Sequence, residues 1–323
     1  MDAPIRVESE VIEQGFAHSL ARIGQRPGLV RALTGVVARR FWEEHVQPSD
    51  AATMAAQKVL AQSGIARSHI GVLINTSVAK DFIEPSIAST VHGNLGLDPL
   101  CLNFDVSNAC LAFLDAIELA SMMIAQGRVR YALIVDGESS RLPVETTIQI
   151  LAQTQMSEVE LRNHFATLTL GSGAAAMILG PVGESEHIVE GRVSVAATQH
   201  NGLCRGQRDH MITDAPALLQ AGVDVAQQAW ARAEIELGWR HNNIDHLIMH
   251  QVGSAHSRSV VTRLGLSIDR AFLTYPEFGN MGPASIPITL SKAVEAGGVY
   301  PGHRLALMGI GSGLNCSMMG VRW

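Results

Sequence analysis

A cysteine at the mouth of an apolar helix can act as a nucleophile. Cys110 closes the stretch Ser107-Asn108-Ala109-Cys110. An extended piece over 102–106 leads in, and Leu111, Leu114, Ile117, Leu119, Met122 and Ile124 then recur at helical spacing, with Asp115 and Glu118 between them. Ser107 or Asn108 can cap that helix. Cys110 then falls at or just before the first turn, where unpaired N–H groups and the helix dipole favour a thiolate. Most cysteines, however, are small buried hydrophobes, and this stretch leaves both readings open.

Four further places can do chemistry. His250 ends the apolar run Ile244-Asp245-His246-Leu247-Ile248-Met249-His250; taken alone it reads as a core histidine satisfied by a backbone carbonyl. His246 shares its strand parity, but no nearby carboxylate or cysteine completes a zinc set, so no metal site is expected. Asn280, in Gly279-Asn280-Met281-Gly282-Pro283, is either a turn residue tolerating positive φ or an amide donor for a developing oxyanion. Gly309-Ile310-Gly311-Ser312-Gly313-Leu314-Asn315 matches neither GxGxxG nor GxSxG, yet its glycines can bare N–H groups to a reacting carbonyl. Glu84, in Lys80-Asp81-Phe82-Ile83-Glu84-Pro85-Ser86, reads by default as a solvated loop carboxylate.

The elements that must position these residues alternate. Helices are expected over 9–25, 48–63, 111–126, 155–165, 215–236 and 285–296, and a loop over 83–93 enters another. Buried strands are expected at 70–74, a continuous apolar run, and at 131–135, 244–250 and 304–308. Polar residues 136–140 follow the second of these, and 167–179 reads as strand, glycine-rich turn and strand. The pattern repeats: Asn108 lies 33 residues after Asn75, and Asn280 lies 30 after His250. Tyr131 lies 23 residues after Asn108, and Arg304 lies 24 after Asn280. A period of half the chain implies two similar α/β halves, 1–185 and 186–323, each a mostly parallel sheet covered by helices. Loops after equivalent strands, carrying Cys110, His250 and Asn280, would meet near a pseudo-twofold axis.

Bulk properties agree. The 323 residues are 47% hydrophobic and only 17% charged, which describes a large core. A net charge of −6 with no basic run makes nucleic acid an improbable partner. Four scattered cysteines without a CxxC fit a reducing compartment. No apolar run has the length of a membrane span, and the N-terminus does not read as a signal peptide. The expectation is a soluble, cytoplasmic protein.

In combination, Ser107-Asn108-Ala109-Cys110, His250-Gln251, Gly279-Asn280-Met281-Gly282-Pro283-Ala284-Ser285 and the 309–315 turn resemble the thiolase superfamily, specifically its ketoacyl synthase III-like condensing enzymes, across most of the chain. Asn75-Thr76-Ser77-Val78, Val135-Asp136-Gly137-Glu138, Leu203-Cys204-Arg205-Gly206 and 311–317 are most similar to the members that condense acyl-CoA in olefin and β-lactone hydrocarbon biosynthesis. The resemblance implies the five-layered αβαβα thiolase fold and a dimer, a homodimer or else one partner of a heterodimer. It implies long-chain coenzyme A thioesters as substrates and no permanently bound cofactor. Cys110 matches the acyl-accepting nucleophile, and His250 and Asn280 the pair that binds the second thioester carbonyl. Ser312 matches a serine supporting that network, and Glu84 a base reaching into the neighbouring subunit's site. Arg39, Arg40 and Arg205 lie where coenzyme A would be contacted. One departure is visible: family members open with a β-strand ahead of the segment matching Asp2-Ala3-Pro4, and none is read here.

Glu84 separates two chemistries. Decarboxylative condensation makes its carbanion by losing carbon dioxide and needs no base. Two plain acyl thioesters require removal of an α-proton, which a carboxylate in a dry site can perform. The reading is therefore a non-decarboxylative Claisen condensation of two fatty acyl-CoAs to a β-keto product. The alternatives are a decarboxylative synthase using malonyl-acyl carrier protein, or a subunit of a heterodimeric condensing enzyme.

Overall fold

The computed structural model describes residues 1–153 and 155–323. β1 (Ile5–Glu8) and β2 (Ala38–Phe41) form a small antiparallel ribbon at the start of the chain. The first sheet contains β3 (Ile70–Asn75), β4 (Leu102–Asp105), β5 (Tyr131–Glu138) and β6 (Gly173–Leu179), in the order β4-β3-β5-β6. β7 (Ile188–Ala196) opens the second half, and a hairpin of β8 (Cys204–Gly206) and β9 (Met211–Thr213) follows. β10 (His246–Met249), β11 (Arg304–Gly311) and β12 (Asn315–Arg322) complete the second sheet, in the order β10-β11-β12-β7.

The expected repeat is present in the pairing. β3 pairs in parallel with β5, as β10 does with β11. β5 and β11 each take an antiparallel neighbour, β6 and β12. Beyond β3 lies β4; beyond β10 a single bridge from Leu247 to Ala271 holds the same place. At the opposite edge, β7 has as its counterpart the bridge from Asp2 to Gly173, where the Met1 ammonium also donates to the Ala174 carbonyl at 2.6 Å. That bridge stands where the resemblance leads one to look for a first strand.

Alternation along the strands creates the layers, because successive side chains leave opposite faces. Val72, Ile74, Ala132, Ile134, Ile248, Leu305 and Leu307 face one shared central core. The helices Ala112–Ala125 and Ser285–Glu295 fill that core between the sheets. The second of these is buried nearly all round, as a helix enclosed on both sides must be. Leu73, Leu133 and Val135 face outward onto the helices Pro48–Ser63 and Ile87–Leu95. Leu247, Met249, Ala306 and Met308 face outward onto the helices Ala215–Glu236 and Ser254–Arg263. The result is the αβαβα arrangement expected from the resemblance.

Some elements differ from their expected form. The helix expected over 9–25 is two, Ser9–Gln14 and Ala17–Arg22. β5 runs on through Asp136, Gly137 and Glu138, because β6 continues to pair with it as far as Gly173. Residues 167–169 belong to a 3₁₀ turn, Phe165–Thr169, and not to a strand. The β1–β2 ribbon, β7, the β8–β9 hairpin, β12 and the helix Arg141–Leu151 carry no expectation above.

Helix Pro48–Ser63 lies directly on Gly137, where a Cβ would sit 2.1 Å from the Pro48 carbonyl oxygen. Backbone cannot yield as a side chain can. Gly137→Ala is therefore expected to destabilise the fold by about 1–3 kcal/mol, the usual cost of overpacking, measured by urea unfolding. An unchanged midpoint would contradict this packing.

Candidate active site

Cys110 sits in a tight elbow between β4 and the central helix. Ala109 is in the left-handed region at φ 47°, alone among the described residues other than glycine. The helix begins at Ala112, with Leu111 as N-cap and no side-chain cap. Neither Ser107 nor Asn108 plays the expected capping part. Asn108 instead braces the elbow: its Nδ2 donates to Asp115 at 2.8 Å, and its Oδ1 accepts from Asn315 Nδ2 at 3.2 Å. Asp115 and Glu118, polar interruptions in the helical pattern, pair with Arg192 of β7, which also donates to Ser317 of β12. The helix that follows Cys110 is thereby tied to the second sheet.

His250 follows β10 and is 3% exposed. Its backbone N–H donates to the Met308 carbonyl at 2.8 Å, and its Nε2 lies 3.0 Å from Asn280 Oδ1. Asn280 is held by backbone bonds across the halves: its N–H donates to Thr169, and its carbonyl accepts from Gly171. The positive φ values of this loop belong to Gly282 (55°) and to Gly279 (67°), where a Cβ would meet the Thr169 carbonyl oxygen at 2.4 Å. Asn280 is therefore not the turn residue that a positive φ would require. Its Oδ1 also accepts from the Gly282 N–H at 3.0 Å. With that oxygen engaged, Nδ2 remains as the donor.

These loops meet at the end of β11. A Cβ on Gly311 would lie 3.5 Å from the Cys110 backbone nitrogen and 3.3 Å from the Asn108 carbonyl oxygen. A Cβ on Gly309 would meet Leu111 at 2.5 Å and the His250 Cβ at 3.9 Å. The two glycines admit the cysteine elbow on one side and the histidine on the other. That is the part the glycine-rich turn plays here. Ser312 follows them, but among the described residues its hydroxyl has no hydrogen bond to His250 or Asn280.

The remaining expected site residues divide. Glu84 is exposed, on a loop beside Val78, Phe82 and Ile83, which are 52%, 61% and 100% exposed. Arg39 does not fit a coenzyme A contact. Its side chain is fully buried, donates to the Leu168 carbonyl at 2.6 Å, and is pushed down to about 10 by burial. Arg40 is partly buried, with its guanidinium 5.3 Å over the Phe278 ring. Arg205 is exposed on the β8–β9 hairpin. No metal-binding cluster occurs among the described residues, and none of their helices is long and apolar enough to cross a membrane.

The electrostatics correct one expectation. Burial, followed by the neighbouring Cys204, Glu138 and Asp136, pushes the Cys110 thiol up to about 12. The helix N-terminus does not prepare a resting thiolate. Asp136 and Glu138 are buried carboxyls that sequence reasoning missed as site residues. Their spacing of two residues after an apolar run was the available signal, since it places both on one face of a continuing strand. His250 is pushed down to about 4, chiefly by burial. At neutral pH it is therefore a neutral N–H donor, able to stabilise an oxyanion without itself being an acid.

Models for 3-oxoacyl-[acyl-carrier-protein] synthase III match residues 104–196, and models for its C-terminal part match residues 235–323. With the layered fold and this site, the chain belongs to the ketoacyl synthase III-like condensing enzymes of the thiolase superfamily, which are acyltransferases. Within that family it is 43% identical to the acyl-CoA:acyl-CoA alkyltransferase of Xanthomonas campestris pv. campestris, across 100% of this chain and 96% of that protein. It is 34% identical to the acyl-CoA:acyl-CoA alkyltransferase of Shewanella oneidensis, across 99% and 96%. Among solved structures it is similar to Xanthomonas campestris OleA with lauric acid and lauroyl-CoA bound, with a TM-score of 0.97 and 43% identity, covering 100% of this chain and 96% of that one.

The His250 shift carries a sign. An unfolded imidazole protonates near 6.5. Folding that keeps His250 neutral is thus fully favoured above 6.5, and the advantage is lost as pH falls toward 4. His256, pushed down to about 3 by burial and by His250, acts in the same direction. His250→Gln should flatten, without abolishing, the fall in thermal stability between pH 6.5 and 4. Equal slopes for variant and parent would contradict a neutral buried His250.

Proposed function

We propose that this protein condenses two fatty acyl-CoA molecules without decarboxylation, through an acyl thioester on Cys110. The supporting observation is that the Cys110 elbow lies against Gly311 and that Leu111 beside it meets Gly309, which His250, hydrogen-bonded to Asn280, also approaches. The first half, 1–185, supplies the nucleophile; the second, 186–323, supplies the donors. The names of the Xanthomonas and Shewanella relatives agree with acyl-CoA on both sides of the reaction.

In the first step the Cys110 sulfur attacks the carbonyl of one acyl-CoA. Coenzyme A leaves as its thiolate and takes up the proton that the thiol releases. Because the resting thiol is held protonated, that proton must depart as the acyl group arrives. In the second step a carboxylate removes the α-proton of the second acyl-CoA. Asn280 Nδ2 donates to its thioester oxygen as the enolate forms, joined by the single N–H of the neutral His250, which turns from Asn280 Oδ1 to the substrate; one such donor is typically worth about 10²–10³ in rate. The α-carbon then attacks the Cys110 thioester and expels the sulfur. Hydrolysis of the resulting β-ketoacyl-CoA gives a β-keto acid and coenzyme A.

The base is Glu84 of a second copy of the chain in a homodimer. Its exposure, amid three exposed apolar side chains, suits a loop that a partner covers. Arg205 is the arginine left to meet coenzyme A, being exposed where Arg39 is buried.

Glu84→Ala should still form acyl-Cys110 from acyl-CoA while losing carbon–carbon bond formation. Mass spectrometry of the intact protein reads the first, and β-keto product the second. Full condensation by the variant would remove Glu84 as base. Product formed from acyl-CoA only when malonyl-acyl carrier protein is added would favour the decarboxylative reading, which the synthase III family match and the 26% identity to a Bacillus pumilus synthase III keep in view.

A further inference from the structure

The parallel ladder between β3 and β5 ends at Asn75 and Val135. Its register nevertheless continues for three more residues through side chains. Thr76 donates its hydroxyl to Asp136 Oδ2 at 2.5 Å. The Gly137 N–H donates to Ser77 Oγ at 2.8 Å. The Val78 and Ala79 N–H groups donate to the two carboxyl oxygens of Glu138, at 2.6 and 3.3 Å. Past Ala79 the chain leaves the sheet and runs on to Glu84, held midway by Lys80 against Asp105 and by Asp81 against the Ser49 N–H.

Glu138 is thus the last attachment of that loop to β5. Its carboxyl oxygens have no other hydrogen-bond donor among the described residues. On its far side it meets Gly282, where even an added Cβ would stop 3.7 Å from its carboxyl carbon. Gly282 is the residue whose N–H orients Asn280.

The geometry points to Glu138 as a positioning residue for the proposed condensation: by gripping the Val78 and Ala79 amides it sets the reach of the loop that carries Glu84 into the partner subunit's site. This rests on the reading of Glu84 as a base acting across the dimer. Keeping a carboxylate here is costly. Burial raises Glu138 to about 7, against the pull of the two amides and Lys80, with Asp136 raised beside it. An apolar side chain would avoid that cost and lose the grip.

The test uses full-length chains and lauroyl-CoA. Glu138→Ala should still acylate Cys110, no more slowly than the parent because one acid that raises the thiol is gone, and lose condensation by about a hundredfold, the scale of a 1 Å misplacement; Glu138→Gln, which keeps one acceptor, should recover part of it. A merely structural role would depress acylation equally, and that result overturns the proposal. The decisive arm is a hybrid dimer of Glu138→Ala with Cys110→Ala, copurified on two tags. Its one intact cysteine faces a loop from the chain whose Glu138 is native, so condensation should return. A silent hybrid would mean that Glu138 acts on its own subunit's site, against the proposal. The control hybrid pairs Glu84→Ala with Cys110→Ala. If that control is silent too, Glu84 does not act across the dimer, and both readings fall. If Glu138→Ala fails to acylate, the same hybrid is made with Glu138→Gln.

Discussion

The hydrogen bond between the His250 imidazole and the Asn280 carboxamide is the contact on which the site depends. It joins a residue at the end of β10 to a loop that is itself bonded to Thr169 and Gly171 of the first half. A carboxamide oxygen that accepts from both the imidazole and the Gly282 N–H cannot rotate freely. Its Nδ2 is therefore aimed before any substrate arrives, which is what makes a donor effective toward a charge that exists only transiently. Burial supplies the other half of the arrangement by keeping the imidazole neutral. A charged histidine would bind a ground-state carboxylate; a neutral one contributes a dipole to a developing enolate.

Cys110 is controlled differently. It stands at a helix start, but burial first, and then Cys204, Glu138 and Asp136, push its thiol up. The thiol is consequently quiet at rest. Its position is secured by structure, not by charge: the Asn108 brace, the left-handed Ala109 and the glycines of β11 fix the elbow. The buried Arg192 secures the helix behind it by pairing with Asp115 and with the half-exposed Glu118. The same acids that restrain the thiol, Asp136 and Glu138, hold the base of the Glu84 loop. One short stretch of β5 thus touches the nucleophile's field and the loop's geometry together.

Much of this could be read from residue order, and the reasons are physical. Strands β3, β5, β10 and β11 are buried on both faces, so they appear as apolar runs. The repeat of loop and strand spacings placed Cys110, His250 and Asn280 on related turns because equivalent strands carry them. Where the reading failed, the decisive interaction is tertiary. The strand expectation stops at 135 because Asp136 and Glu138 are charged, yet β6 pairs along them and the Thr76–Ala79 segment donates to Asp136 Oδ2 and to both carboxyl oxygens of Glu138. The resemblance alone places Arg39 at coenzyme A, and no local pattern reveals that it is sealed against Leu168. The short strands β8 and β9 have no periodicity to detect.

The most direct measurement is a crystal of the full chain soaked with a fatty acyl-CoA and frozen before turnover completes. Continuous density from Cys110 Sγ to an acyl carbon is expected, with a second thioester oxygen within hydrogen-bonding distance of Asn280 Nδ2 and His250 Nε2. An acyl group on another residue, or a thioester oxygen turned away from that pair, would contradict the account at its centre.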